Sequence, residues 1–387
     1  MSGKVDITQV ARRAGVSITT VSRVLSPSGH RVNAKTEERV RAVARELNYA
    51  PSPLAQALAK GTSRIIGILV GDNDDPHFAG IIRGAEEVAS REGYLIIVGN
   101  TERRTERELS YVRLLRSYRA DGLVFIGGGL EDSSLQSELE AQVRAFEEGG
   151  GIVVATTQHR LPAWRVSVDS AAAAARAVQH LLDLGHTRIG FVAGPAHVRV
   201  SHVRAAGVRN ALAERGLALD PRLVAPADFT RAGGEHAARR LLDLPPPERP
   251  TAIFAANDLM AIGVLGAARA RRITVPKHLS VVGLGDIPLA ESVCPPLTTV
   301  HFPLRELGAT AMEMVLEGLR EAQGATMASP TDPNSTRGRD RVLPAHLVAR
   351  ESTALVPVPL QPRRANPRPP PALSGTANSE RIELPCP

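Results

Sequence analysis

The chain has 387 residues, 43% of them hydrophobic, a formal net charge of +7 and two cysteines, Cys294 and Cys386. That length holds two or three domains with real cores, and two cysteines cannot build a disulfide framework or a metal cage. With no apolar leader and no run of membrane-spanning length, the expectation is a cytoplasmic protein with no membrane partner.

The charge is unevenly spread: residues 1–63 carry ten Lys and Arg against four acids, or +6, and the rest is nearly balanced. Within this segment Ile7, Val10, Ala11 and Ala14 recur at i, i+3, i+4 and i+7, one apolar face of a short helix, with Asp6 at its N-cap. Gly15 breaks the run, and Ser17 can cap a second helix whose inward side is Val21, Val24 and Leu25. Two short helices about a tight turn make a helix-turn-helix, the second presenting Ile18, Thr19, Ser22 and Arg23 outward. Taken alone, the pattern also fits a helical hairpin whose polar face meets water. A third helix from Asn33 to Asn48, with Val40, Val43, Ala44 and Leu47 on one face, can close a small core. Residues 1–48 therefore read as a DNA-binding headpiece whose basic charge suits phosphate contact. Arginine outnumbers lysine along the whole chain, so the clustering carries this reading and the arginine preference does not.

Pro51 and Pro53 stop the third helix, a short apolar turn of helix runs from Leu54 to Leu58, and Gly61-Thr62-Ser63 reads as linker. From Arg64 the texture alternates. Strands are expected at Ile65–Val70, Leu95–Val98, Leu123–Ile126, Ile152–Ala155, Ile189–Val192, Ala252–Ala255 and Val281–Leu284. Helices are expected at Ala79–Arg91, Arg104–Arg116, Leu135–Glu148, Ala171–Leu184, Val203–Arg215, Gly233–Leu242 and Asp258–Ala270. Short apolar strands each followed by a helix indicate parallel sheets covered on both faces. Some 290 residues of this exceed one sheet, so the expected fold class is α/β: an all-α headpiece with a hinge segment, then a two-lobed core with a cleft. Residues 321–340 read as a loop, RVLPAHLVARES returns to strand-like pattern, and 354–387, rich in Pro, Arg and Ser, reads as a disordered tail.

These motifs together resemble the lactose-repressor (LacI/GalR) family of transcription regulators, over about residues 5–353. The headpiece fits the pattern VA–AGVS–TVSRVL, and Leu47-Asn48-Tyr49 followed by Pro51 fits the approach to the hinge. Asp75-Pro76-His77-Phe78, Leu184-Gly185-His186-Thr187-Arg188-Ile189, Asn257-Asp258, Ser280-Val281-Val282-Gly283 and Pro296-Leu297-Thr298-Thr299-Val300 complete the set. The resemblance implies a repressor of carbohydrate-related genes that binds a near-palindromic operator as a homodimer, with a tetramer as the larger assembly. It also implies lobes like type I periplasmic binding proteins closing on a small effector: a sugar, sugar acid or sugar phosphate. Its domains would be a headpiece at 1–48, a hinge helix and linker at 49–63, and a ligand-binding and dimerisation core at 64–353. Lobe 1 would take 64–161 and 290–320, lobe 2 would take 162–289 and 340–353.

Carried over by position, Ile18, Thr19 and Arg23 are base-reading residues. Arg23 can donate twice to guanine and Ile18 can meet a thymine methyl, while Thr20 and Ser22 fit phosphate contacts. Leu58 matches a minor-groove wedge; Ser52 and Gln56 depart from the family's usual Asn and Arg. Asp75, His77, Phe78, His202, Arg204, Phe229, Asn257 and Asp286 are the candidate ligand-binding residues. In Leu284-Gly285-Asp286 the family commonly has an aromatic followed by two acids, so Gly285 removes a carboxylate. That loss, beside Arg204, is the basis for expecting an anionic effector; a bulkier neutral sugar is the alternative. A transport binding protein and an enzyme are the competing functions. The chain lacks GxxxxGK[ST], GxSxG and a GxGxxG opening a helix after a first strand, Gly127-Gly128-Gly129 is a strand-end loop, and no carboxylate pair stands out. No catalytic residue, metal site or cofactor is expected.

Overall fold

The computed structural model describes residues 5–25, 32–50, 62–127, 129–131, 134–157, 159–322, 324 and 340–356. The hinge positions Ser52, Gln56 and Leu58, most of the 321–340 loop and residues 357–387 lie outside the described residues.

Three helices form the headpiece: α1 (Ile7–Ala14), α2 (Ile18–Leu25) and α3 (Ala34–Glu46). Their apolar faces meet in a core of Val10, Ala11, Ala14, Val21, Val24, Val40, Val43 and Ala44. α3 stops two residues short of the expected Asn48, whose φ of 48° is left-handed and ends the helix.

The rest is built on two parallel sheets. The first has six strands in the order β11-β5-β4-β3-β1-β2: β1 (Ile65–Val70), β2 (Leu95–Asn100), β3 (Gly122–Ile126), β4 (Ile152–Ala155), β5 (Trp164–Val168) and β11 (Asp340–Leu343). The second has four, β7-β6-β8-β9: β6 (Ile189–Ala193), β7 (Val224–Pro226), β8 (Ala252–Ala255) and β9 (Ser280–Val282). A small antiparallel pair, β10 (Thr299–His301) with β12 (His346–Val348), sits where the chain crosses between them. β1 and β6 are flanked on both sides, so each sheet has a switch point beside its first strand, and ligands of such folds bind at the carboxyl ends there.

Two boundaries differ from the sequence reading. Residues 162–289 and 340–353 were assigned to the second lobe, yet β5 pairs with β4 (Val154↔Trp164, Ala155↔Arg165) and β11 pairs with β5, both in the first sheet. These outer strands are half-exposed and mixed in polarity, so they lack the apolar run that marks a central parallel strand. The sequence predicts a tail from residue 354, but Ala354 N donates to Ser280 Oγ at 3.1 Å and Val356 N to Leu184 O at 2.9 Å. His186 completes this latch: it is buried, with Nδ1 2.9 Å from Thr251 Oγ1 and Nε2 3.0 Å from both Ser280 Oγ and Ala354 O.

The long helix Leu304–Ala322, absent from the expected elements, packs on helix Pro76–Arg91 and covers the first sheet. The two helices touch through glycine notches, since a Cβ at Gly84 would overlap the Arg305 carbonyl and one at Gly308 the Ile81 carbonyl.

Candidate functional site

The headpiece geometry follows from its caps. Asp6 Oδ1 accepts from Gln9 N at 2.9 Å, Gly15 takes a left-handed φ of 63° to turn the chain, and Ser17 Oγ accepts from Thr20 N at 3.1 Å. With Val21 and Val24 inside, the opposite side of α2 is fixed: Ile18, Thr19, Ser22 and Arg23 are exposed. Ile18 is 47% exposed, a large apolar side chain held in water at the start of the helix. No carboxylate among the described residues pairs with Arg23. Thr20 is half-buried, and its hydroxyl lies 2.9 Å from Ser17 Oγ, so it supports the cap as well as facing outward.

The second constellation is a cavity between the two sheets. Residues following strands of the first sheet (Gly71 to Phe78 after β1, Thr101 and Arg103 after β2, Gly127 after β3) meet Phe229 after β7, Asn257 after β8 and Leu284 after β9. Arg204 reaches in from helix Arg199–Ala213. One side is clasped: Leu130 bridges to Val198, Arg199 N donates to Gly129 O at 2.9 Å, and Glu131 N to His197 O at 2.8 Å.

Six of the eight expected ligand residues, Asp75, His77, Phe78, Arg204, Phe229 and Asn257, line this cavity. His202 and Asp286 do not. His202 is two residues from Arg204 on one helix, hence on another face; it is exposed and donates to Ala196 O at 2.6 Å. Asp286 has a left-handed φ of 56° and turns its carboxylate to Arg350 and His301, each at 2.8 Å.

Arg204 is the strongest feature. It is buried, its Nη1 donates to Ala256 O at 2.7 Å, and its Nε is buried without a partner. Burial lowers its pKa to about 10, against the pull of Asp75 and Asp258. Asp75 caps helix Pro76–Arg91, accepting from His77 N at 3.0 Å; burial raises its pKa, with Arg103 and Arg204 opposing. His77 is held neutral, its pKa lowered to about 3 by burial and by the charges of Arg204 and Arg103. Asn257 caps the next helix, accepting from Met260 N at 2.8 Å, and its amide donates to Phe229 O at 3.3 Å. Asp258 instead is buried beneath, holding Thr299 Oγ1 at 2.5 Å and Ile287 N at 2.9 Å, with its pKa raised by burial to about 6.

Sequence reasoning missed Arg103. Its guanidinium lies 6.0 Å from the Phe78 ring and 5.5 Å from Phe229, and it pairs with Asp72 at 3.1 Å. Glu102 and Arg103 have consecutive left-handed φ values of 51° and 53°, the strained turn that delivers this side chain into the cleft. Its position after a strand end was the available signal. Missed too were Glu108, on helix Thr105–Ser117, and His159, in the loop that follows β4.

Among the described residues no helix is long and apolar enough to cross a membrane. Residues 6–52 match the family model for bacterial regulatory proteins of the lacI family, and residues 178–353 match a periplasmic binding protein-like domain. The chain is 35% identical to the HTH-type transcriptional repressor CytR of Escherichia coli K12 over 351 residues, covering 90% of this chain and 96% of that protein. Among solved structures, it is similar to the Lac repressor dimer bound to operator and the anti-inducer ONPF (TM-score 0.74, 28% identity, 90% of this chain and 99% of the other). It is also similar to a CelR–cellobiose complex (TM-score 0.63, 28% identity, with the same coverage). The capped helix-turn-helix, the two-sheet cleft and these likenesses agree: the chain belongs to the lacI family of bacterial regulatory proteins and is a ligand-responsive, DNA-binding transcriptional repressor.

Proposed function

We propose that this repressor binds a near-palindromic operator as a homodimer, and that its effector is a neutral, hydroxylated ring compound, a sugar or glycoside, held in the cleft. Arg204 carries the effector reading. Its buried Nε is a donor without a partner among the described residues, in a cavity bounded by both sheets, and Phe229 lies 5.8 Å from its guanidinium, giving an apolar face beside a polar grip. A sugar offers both surfaces: C–H faces for the ring and hydroxyl oxygens for the guanidinium.

Against the anionic effector expected from the sequence stand the carboxylates of Asp75 and Asp258, which both act on Arg204. The similar CelR structure is a complex with cellobiose, a neutral sugar. The regulated genes on this reading are carbohydrate-related. On the DNA side, Ile18, Thr19 and Arg23 read bases, Thr20 and Ser22 hold phosphate, and Leu58, outside the described residues, wedges the minor groove.

Calorimetry with matched sets, D-glucose with D-glucuronate and glucose 6-phosphate, and D-ribose with ribose 5-phosphate, tests the effector class. Neutral members are expected to bind. Tight binding confined to the charged members would overturn the assignment.

A further inference from the structure

The cleft contains a second polar feature that the grip of Arg204 does not use. Glu108, on helix Thr105–Ser117, and His159, in the loop after β4, both line the cavity, with side chains 10% and 2% exposed. His159 Nε2 stands 3.7 Å from Glu108 Oε1, close enough for charge attraction but too long for a direct hydrogen bond. His159 Nδ1 is buried with no hydrogen-bond partner among the described residues. The Phe125 ring packs against the imidazole, tilted, at 5.3 Å. Gly129 lies beside it, and a Cβ there would come 3.2 Å from Nδ1, 3.3 Å from Cε1 and 3.4 Å from Cγ, so the missing side chain leaves room over that face of the imidazole.

Buried polar atoms without partners are rare, because each forfeits its hydration. An ionised Glu108 only accepts, and a carboxylate near Nε2 favours the tautomer with the proton on that nitrogen, leaving Nδ1 an acceptor. Two acceptors in one buried corner require donors. We infer that Glu108 and His159 form a subsite that reads a pair of neighbouring O–H groups on the effector, a vicinal diol, and rejects carboxylate or phosphate at that end. This rests on the cleft being the effector site. It adds to that reading which end of the molecule is recognised and by which groups: one ligand end supplies acceptors to Arg204, the other supplies donors here. An anionic group in this corner would face Glu108 with no cation bonded to it.

The test uses the full-length protein and the variants Glu108→Gln and His159→Phe. Calorimetry compares D-glucose with 2-deoxy-D-glucose and D-ribose with 2-deoxy-D-ribose. Sugars that bind the wild type are expected to lose affinity by about ten- to a hundredfold in each variant, the range for a charge-assisted hydrogen bond. The deoxy partners should show a smaller loss, having already given up one donor. Equal affinity in wild type and both variants would overturn the subsite while leaving the cleft as effector site. If none of these sugars binds the wild type, the sugar reading of the cleft fails, and thermal unfolding of the ligand-free proteins then decides the subsite. A polar pair kept for a ligand predicts that His159→Phe leaves the Tm unchanged or raises it. A fall of several degrees in that variant would make the pair a structural contact and overturn the proposal.

Discussion

Replacing Arg204 by methionine separates the functional and structural roles of the buried guanidinium. Methionine keeps much of the length and apolar stem while removing the charge. Arg204 is protonated at pH 7 in both folded and unfolded chains, but burial depresses its folded pKa from 12.5 to about 10. A depressed pKa means that folding disfavours the charged form, by on the order of 3 kcal/mol at every pH below about 10. Against this relief, the variant abandons the Ala256 carbonyl, which now accepts from Nη1 at 2.7 Å; a lost buried partner costs about 1–3 kcal/mol. It also removes one of the two positive charges that act on Asp75, leaving Arg103, so that carboxyl becomes easier to protonate. The opposing effects nearly cancel. Ligand-free Arg204→Met should therefore melt within a few degrees of the wild type, each ~1 kcal/mol moving Tm by about 2–4 °C in a domain of this size. Sugar affinity, by contrast, should fall by about a hundredfold, the loss of a charge-assisted donor in the cleft. Scanning calorimetry and titration calorimetry on the same preparation read both quantities. A Tm drop above ten degrees would make Arg204 a structural pillar, and undiminished sugar affinity would remove it from the binding site.

Arg23→Ala should cost about 1–3 kcal/mol of operator binding and relax base preference at one position per half-site, measured by anisotropy on specific and random duplexes; equal losses on both would contradict base reading. Gly84→Ala should destabilise the core by about 3 kcal/mol or more in urea unfolding, since its Cβ meets the backbone of Arg305, which cannot swing aside; an unchanged midpoint would show that the helix pair adjusts freely. Asp258 has a folded pKa raised from 3.8 to about 6, so its folded form binds a proton that the unfolded chain has released. Its contribution to stability is therefore greatest below pH 4 and declines as pH rises through 6. Urea unfolding at intervals from pH 4 to 6.5 should show the wild type losing stability relative to Asp258→Asn, and a constant difference between the two would refute the assignment.

Much of this architecture was legible because its signals are local. The caps at Asp6 and Ser17 and the buried periodicity of α1 and α2 follow from short-range hydrogen bonding and helix spacing. Strands β1, β4 and β8 fell on their expected residues because fully buried parallel strands read as unbroken apolar runs. Strands β5, β7 and β10 are short, or polar on one side, and owe their state to tertiary pairing that no window of sequence displays, whereas β11 and β12 fall on the strand-like stretch RVLPAHLVARES. The cleft divides the same way. Phe78, Arg204 and Phe229 sit in motifs at strand ends or one helix turn beyond. Asp286 sits in a motif too, but its left-handed backbone turns it elsewhere, and His202 lies on another face of the helix that carries Arg204. Arg103, Glu108 and His159 come together only through the fold, from residues scattered over sixty positions with no shared pattern.

The most direct test of the account joins its two halves in one titration. An operator duplex is recovered by selection from a randomised pool with the full-length protein, and its affinity is measured by fluorescence anisotropy with and without a saturating neutral sugar that raises the protein's Tm. The account predicts that the sugar changes operator affinity, and that operator changes sugar affinity by the same factor, as linkage between two sites on one molecule requires. An operator affinity that does not move when the cleft is saturated would contradict it.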